Sequence, residues 1–282
     1  MQETKTMSRI ALALGLLACN ASHAQDAAPA PQFSIGAKLW NASWMSYIPA
    51  TYLGATAGNQ SAVGDIIDSA EGSRETSILP QLAVRYGNYF VAASYGRFKS
   101  DFSLLSSPVI TPAGTLITSR TDHFVRRESD LVLGYYVLPQ LALTVGYKYA
   151  KESRDTRLGI APQSVPFLVN KADAVLVGAA LSVPIQGSLN FYGSAGYGVG
   201  DIKTRTVDNS IAQIDARTRY LIGEFGLSYP ILVDSAGLRA VSAALGYRTQ
   251  TVKTRSTGTV YGESRRLRDV RDGLVLSLNV SL

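Results

Sequence analysis

The last ten residues of the chain, GLVLSLNVSL at 273–282, decide the fold. Every second position from Leu274 to Leu282 is a large aliphatic residue, and most of the positions between them are small or polar. Alternate side chains of a β-strand point to opposite faces, so a period of two is typical of a strand. The stretch therefore predicts a strand with one apolar face and one narrow, largely polar face.

The same alternation recurs along the chain and predicts ten strands. They are expected at 33–44, 77–86, 89–102, 123–137, 141–155, 170–184, 188–203, 213–229, 237–254 and 265–282. Short turns at 87–88, 138–140, 184–187 and 230–236 alternate with longer loops at 45–76, 103–122, 156–169, 204–212 and 255–264. This order predicts an all-β fold, a ten-stranded antiparallel transmembrane up-and-down β-barrel, with eight or twelve strands as alternatives. An even count places both termini on the short-turn side.

A soluble β-sandwich also alternates, so the two faces must be compared. A sandwich would place charged residues opposite its apolar face, whereas here the second face is rich in Gly, Ala and Ser and suits a narrow lumen. The outward aromatic residues also form two groups, as expected for girdles at two lipid–water interfaces. One group lies near the short turns (Tyr86, Tyr89, Tyr135, Phe191, Tyr229) and the other toward the long loops (Tyr95, Tyr147, Tyr149, Tyr197, Tyr247).

Residues 33–282 therefore resemble a Gram-negative outer-membrane β-barrel of the small, porin-like kind. The likeness is to an architecture and not to one characterised family. The final strand resembles the assembly signal of such proteins, although Leu282 stands where an aromatic residue is usual. The resemblance implies a cell outer membrane location, periplasmic termini, and two partners: outer-membrane lipid, including lipopolysaccharide, and the barrel-assembly machinery through the C-terminal strand.

The N-terminus predicts an export signal. Lys5 and Arg9 precede an apolar run at 10–18 and small residues ending at Ala24, the order of a secretory signal peptide. We place a signal peptide at 1–24 and a short flexible lead-in at 25–32. Lipidation of Cys19 is the alternative to ordinary cleavage after Ala24. Because Cys19 is the one cysteine, a disulfide framework and a cysteine-built metal site are excluded.

The net charge of +6 comes with no nucleic-acid-binding motif, so nucleic acid is not an expected partner. The basic residues collect where the strands meet the long loops, just beyond the second group of tyrosines. In an outer membrane this level holds lipopolysaccharide phosphates, to which Arg and Lys donate charge-assisted hydrogen bonds. The candidates stand at alternate strand positions that are predicted to face outward: Arg97, Lys99, Arg127, Lys151, Lys171, Lys203, Arg219, Lys253, Arg266 and Arg268.

The intervening strand positions are predicted to face the lumen, and they carry a nearly balanced set of charges and one tryptophan. These candidate lumen-lining residues are Lys38, Trp40, Arg85, Arg126, Glu128, Asp130, Lys148, Glu152, Glu224, Arg248, Asp269 and Arg271. Two interpretations remain open: an internal salt-bridge network that plugs the barrel, or a narrow path for a small solute. In the second, Arg85, Lys148, Arg248 and Arg271 would set a weak anion preference.

The sequence predicts no catalytic residue, metal site or cofactor. Asp122-His123, with Asp101, Asp155 and Asp269 at comparable heights, is the only set that suggests a hydrolase at the rim. A surface adhesin or receptor acting through the loops 45–76 and 103–122 is a further alternative. The expected function is thus a non-catalytic outer-membrane barrel, either a narrow small-solute pore or a structural barrel with extracellular loops.

Overall fold

A computed structural model describes residues 30–46, 70–105, 109–111, 114–116, 119–158, 165–206, 214–235, 238–256 and 266–282. The predicted signal peptide at 1–24, Cys19, and most of the lead-in and of the loop 45–76 lie outside these residues. Within the described ranges, no helix is long and apolar enough to cross a bilayer.

Ten long strands form one closed antiparallel barrel in which each strand pairs with its neighbours along the chain. The predicted ten-stranded up-and-down barrel is therefore confirmed. Pairing of the first long strand with the last, from Ser34↔Ser281 to Ser46↔Asp269, closes the cylinder. The barrel strands are β1 (Gln32–Ser46), β2 (Ala70–Tyr86), β3 (Tyr89–Leu105), β6 (Ser119–Leu138), β7 (Leu141–Leu158), β8 (Val165–Gln186), β9 (Leu189–Thr206), β10 (Ile214–Ser235), β11 (Leu238–Ser256) and β12 (Arg266–Ser281). Two short strands, β4 (Val109–Thr111) and β5 (Gly114–Leu116), form a separate hairpin.

The strands are longer than predicted at their long-loop ends. The segment 70–76 belongs to β2 and not to a loop, and the small β4–β5 hairpin inside the predicted loop 103–122 was not foreseen. Here β2 exposes four consecutive residues, Ser73 to Thr76, so the sequence loses its period of two although strand geometry continues. Backbone hydrogen bonds extend a strand without any apolar pattern, which is why the prediction stopped too early.

Two of the short turns depend on glycine. Gly87 and Gly187 both have φ = 57°, a left-handed conformation that costs other residues energy because of their Cβ atoms. Each begins a two-residue connection, Gly87-Asn88 and Gly187-Ser188. Beside Gly87 the ladder runs without a register shift to its last pair, Tyr86↔Tyr89, whereas an irregularity between Pro184 and Gln186 precedes the turn at Gly187.

The wall of the barrel has an apolar outer face and a mostly small or polar inner face. On β12, Leu274, Leu276 and Leu278 are 50–56% exposed on the outside, while Ser277 and Asn279 are buried within. Many other large apolar side chains are exposed in the same way, including Leu82, Leu133, Val177, Leu221 and Leu245. An exposed apolar surface of this extent marks contact with another apolar phase rather than with water.

Candidate functional site

The twelve predicted lumen-lining residues all lie on the less exposed face of their strands. Asp130 and Asp269 are half-buried. The other ten are buried: Lys38, Trp40, Arg85, Arg126, Glu128, Lys148, Glu152, Glu224, Arg248 and Arg271. Nine of the eleven charged side chains form two ion clusters, one centred on Glu128 and one on Glu224. Arg85 and Asp269 have other contacts, with Tyr136 and Ser46 respectively.

Glu128, on β6, is the centre of the larger cluster. Arg126 Nε donates to its Oε1 at 2.6 Å, and Lys148 Nζ lies 2.8 Å from its Oε2. Arg271 of β12 reaches it from across the lumen, and Gln250 Nε2 donates to it at 3.1 Å. Three cations thus surround one carboxylate that is 3% exposed, an arrangement that offsets the cost of burying charge.

The second cluster joins strands that are far apart in the sequence. Lys38 Nζ on β1 donates to both carboxylate oxygens of Glu224 on β10, at 2.6 and 2.7 Å. Arg248 Nη1 reaches the same carboxylate at 3.1 Å. The guanidinium groups of Arg248 and Arg271 lie 5.1 and 5.5 Å from the ring centre of Trp40, so both clusters contact this tryptophan.

Aromatic rings fill much of the remaining space, and glycines on adjacent positions receive them. A Cβ added to Gly96 would lie 2.7 Å from the Phe98 ring, and one added to Gly134 would lie 2.1 Å from Phe90. At these two positions the glycines therefore make room for large neighbouring rings. A cavity of about 100 Å³ beside Glu224 and the glycines of β7–β9 has room for a few water molecules.

Sequence reasoning missed an upper layer of the interior. Asp122 forms a fully buried ion pair with Arg154, whose guanidinium lies 5.2 Å from the Phe124 ring centre. Phe124 also packs edge-on against Phe102 and Trp44, at centroid distances of 4.7 and 5.7 Å. Their period-two positions could have identified them, because these residues alternate in step with the predicted lumen-lining residues on the same strands.

The residues considered for a rim hydrolase come together only in part: Asp101, His123 and Asp155 are direct cross-strand partners, whereas Asp122 and Asp269 lie on the other side of the wall. Asp122 points inward to Arg154, whereas the neighbouring His123 points to the outer face, where its Nδ1 lies 2.5 Å from Asp101 Oδ1. Asp269 is inside and accepts a hydrogen bond from Ser46. The carboxylates are thus divided between two sides of the wall. Among the described residues, no three His, Cys, Asp or Glu side chains are grouped as metal ligands.

Nine of the ten basic residues predicted to contact lipid phosphate are exposed on the outer face, and the side chain of Arg266 lies outside the described part. Five of them are direct cross-strand partners on five successive strands. We call this set the basic row: Arg97↔Arg127↔Lys151↔Lys171↔Lys203. With strands about 4.8 Å apart, the row spans about 19 Å.

The basic row contains like charges placed directly opposite one another, which is destabilising without counter-ions. The ion pairs found among the described residues involve none of its five members. A second run, Arg219↔Lys253↔Arg268, continues the cationic surface on β10–β12. It borders a cavity of about 960 Å³ that Arg217 and Arg255 also line. The outer wall near the long loops thus carries many cations, although Asp215 and Asp201 lie directly opposite Lys203 and Arg217.

No protein-family model and no curated protein matches the chain. Among solved structures, the outer membrane protease OmpT from Escherichia coli is 9% identical, with 89% of this chain and 95% of that chain covered and a TM-score of 0.46. The toluene transporter TodX of P. putida is 10% identical, with 89% of each chain covered and a TM-score of 0.31. The translocator domain of the autotransporter NalP from Neisseria meningitidis is 8% identical, with 88% and 87% covered and a TM-score of 0.40.

With TM-scores below 0.5, these likenesses add no argument about residues, activity or role. The barrel architecture noted from the sequence is confirmed by the closed ten-stranded antiparallel barrel itself.

Proposed function

We propose that this protein is a non-catalytic structural barrel of the Gram-negative outer membrane, closed to solutes along its axis. The filled interior carries the proposal, because the ion clusters of Glu128 and Glu224 and the aromatic layers leave little continuous space. Barrels of about eight strands are filled by side chains, and ten strands lie near that limit. The four basic side chains that would set an anion preference in a pore each contact another side chain in the lumen. Arg248 contacts Glu224, and both Lys148 and Arg271 contact Glu128. Arg85 lies over the ring of Tyr136.

The membrane location is supported by the outer surface. Apolar side chains such as Ile78, Leu82 and Leu245 are 58–63% exposed there, and this surface would be costly in water. Outward tyrosines, such as Tyr86, Tyr89 and Tyr95, extend the belt toward both ends. We place both termini on the periplasmic side, since the short turns of outer-membrane barrels lie there.

Conductance in planar bilayers tests whether the barrel is closed to ions along its axis. The protein is expected to give no discrete openings, whereas the double variant Glu128→Ala/Arg271→Ala removes a buried pair together and should give small ones. Discrete openings of the unaltered protein, with an ion preference that Arg248→Glu reverses, would establish the pore instead.

We also propose that the basic row binds lipopolysaccharide phosphates. Five aligned cations without ion-pair partners among the described residues favour a ligand that brings several anionic oxygens. Because strands tilt in a barrel, the row runs obliquely across the wall and can meet phosphates at different depths.

Native mass spectrometry of the detergent-extracted protein measures this contact. The variant Arg127→Gln/Lys151→Gln should lose most of its retained bisphosphorylated lipid A, and Arg74→Gln, an exposed cation outside the row, should retain it. Equal retention by the two variants would refute a role for the row.

A further inference from the structure

Five cations line a groove on the outer wall, where β10, β11 and β12 run toward the long loops. They form two rows across the strands, Arg217↔Arg255 and Arg219↔Lys253↔Arg268, and all five are exposed on the outer face. The cavity between them has a volume of about 960 Å³, at the upper end of the range for small-ligand sites. We call it the outer groove.

The outer groove concentrates positive charge in a small area. Neighbouring strands lie about 4.8 Å apart and residues two positions apart on a strand about 6.7 Å, so the five cations arise within about 10 by 7 Å of the wall. Among the described residues, Asp201 is the one carboxylate in the lining, so four net positive charges remain. A phosphate monoester carries about 1.5–2 negative charges at pH 7. Two phosphate groups on one ligand therefore match the groove, whereas a monovalent head group does not.

An adjoining cavity of about 580 Å³ places hydrogen-bond acceptors beside these cations. It shares Asp201 and two of the arginines with the outer groove. Asp215 and Lys203, which are direct cross-strand partners, complete its charged lining. Ionised carboxylates repel phosphate, but they accept hydrogen bonds from hydroxyl groups. The mixed lining thus suits a ligand that carries both phosphate and hydroxyl groups, which is the composition of a phosphorylated sugar.

The lower edge of the outer groove meets the apolar belt of the barrel. Leu221 lies two residues from Arg219 on the outer face of β10, and Val199 is the direct partner of Arg219 on β9. Both apolar side chains are 56% exposed, as is expected of residues that face lipid. A ligand in the groove can therefore keep hydrocarbon chains against the wall below it. This continuity favours a saccharide that is anchored in the membrane over one that is free in solution.

We propose that the outer groove binds the phosphorylated core saccharide of a membrane-anchored glycolipid. The arginines and Lys253 donate charge-assisted hydrogen bonds to its phosphate groups, and Asp201 and Asp215 accept hydrogen bonds from its hydroxyl groups. The groove is distinct from the basic row, which ends at Lys203, where Asp215 is the partner on β10. The site rests on the proposed outer-membrane location, and it adds recognition of sugars to the proposed contact with lipid A phosphates.

Two lipopolysaccharides with the same lipid A, one with phosphate groups on its core sugars and one without them, test the site. Native mass spectrometry of the detergent-extracted protein, offered both in equal amounts, measures the ratio in which they are retained. The unaltered protein should prefer the core-phosphorylated form by about tenfold or more. The variant Arg217→Gln/Arg255→Gln should lose this preference. The variant Arg127→Gln/Lys151→Gln should keep it while retaining less of both forms. The two variants are matched, because each removes two exposed cations that are direct cross-strand partners.

A change at one carboxylate separates sugar recognition from general attraction between charges. Asp201→Ala makes the groove more positive, so a surface that acts by charge alone would retain more of the core-phosphorylated form. Recognition of hydroxyl groups predicts the opposite, a loss of about threefold or more. Retention that rises or stays equal in Asp201→Ala, or an unchanged preference in Arg217→Gln/Arg255→Gln, would overturn the proposal.

The source of the saccharide is tested with the phosphorylated core saccharide freed from lipid A. It should bind about tenfold more weakly or less, because it has no hydrocarbon chains to lie against Leu221 and Val199. Equal affinity of the free and the anchored forms would refute the membrane-anchored source. Undiminished retention of lipid A by Arg127→Gln/Lys151→Gln would refute the role of the basic row alone and leave the outer groove unaffected.

Discussion

Replacing Glu128 by Gln tests whether the interior cluster stabilises the barrel. The substitution keeps the shape of the side chain and removes the charge that faces three cations. Arg126 and Lys148 retain other carboxylates, Glu152 at 3.3 Å and Asp130 at 2.8 Å. Arg271 retains none among the ion pairs of the described residues and becomes a buried, uncompensated charge.

The magnitude follows from that one cation. Breaking a buried ion pair by removing one partner costs about 3–5 kcal/mol. Arg271 also lies 4.2 Å from the ring centre of Phe98 and 5.4 Å from that of Trp44, contacts that hold the guanidinium in place after the change. Because these contacts remain, we expect a loss near the lower limit, about 3 kcal/mol in the free energy of unfolding.

Urea unfolding in lipid vesicles measures this loss. The fluorescence of the two tryptophans reports it, since Trp40 and Trp44 are both buried in the lumen. The double variant Glu128→Gln/Arg271→Met should regain about 2 kcal/mol, because an apolar residue leaves no orphaned charge. The control Asp101→Asn removes an exposed partner of His123 and should cost less than about 1 kcal/mol. A loss for Glu128→Gln as small as the control's, or no recovery in the double variant, would refute the reasoning.

Two further predictions concern the turns and the lipid-facing wall. Gly187→Ala should cost about 1–2 kcal/mol in the same unfolding assay, because φ is positive there. The cost would come from the backbone conformation alone, since no atom lies within 4 Å of the new Cβ. An unchanged free energy of unfolding would show that the turn does not need glycine. Leu276→Arg should cost about 2–4 kcal/mol in vesicles if this outward position faces the middle of the bilayer. A matched Leu282→Arg at the end of the chain should cost far less, and equal costs would contradict the assigned depth.

Much of the fold could be predicted because a barrel strand carries its pattern locally. The alternation at 273–282 assigns both faces of β12, and the structure buries Ser277 and exposes Leu276 accordingly. Strand ends near the loops could not be predicted in this way. At Ser73–Thr76 the strand continues while all four side chains are exposed, so no apolar period marks it.

The candidate site was only partly predictable. Parity indicated which charges face inward, but not which of them meet: Lys38 and Glu224 are 186 residues apart and come together only when β1 and β10 join one cylinder. Adjacency in the sequence suggested that Asp122 and His123 form one site, whereas adjacent residues of a strand point to opposite sides of the wall.

The sequence by itself determined the strands, their count and their two faces, because each follows from the period of two in a short stretch of chain. Only the tertiary structure decided which inward charges meet, and that five cations align in one row. These features depend on the register between strands, which closure of the barrel sets and which no single strand encodes.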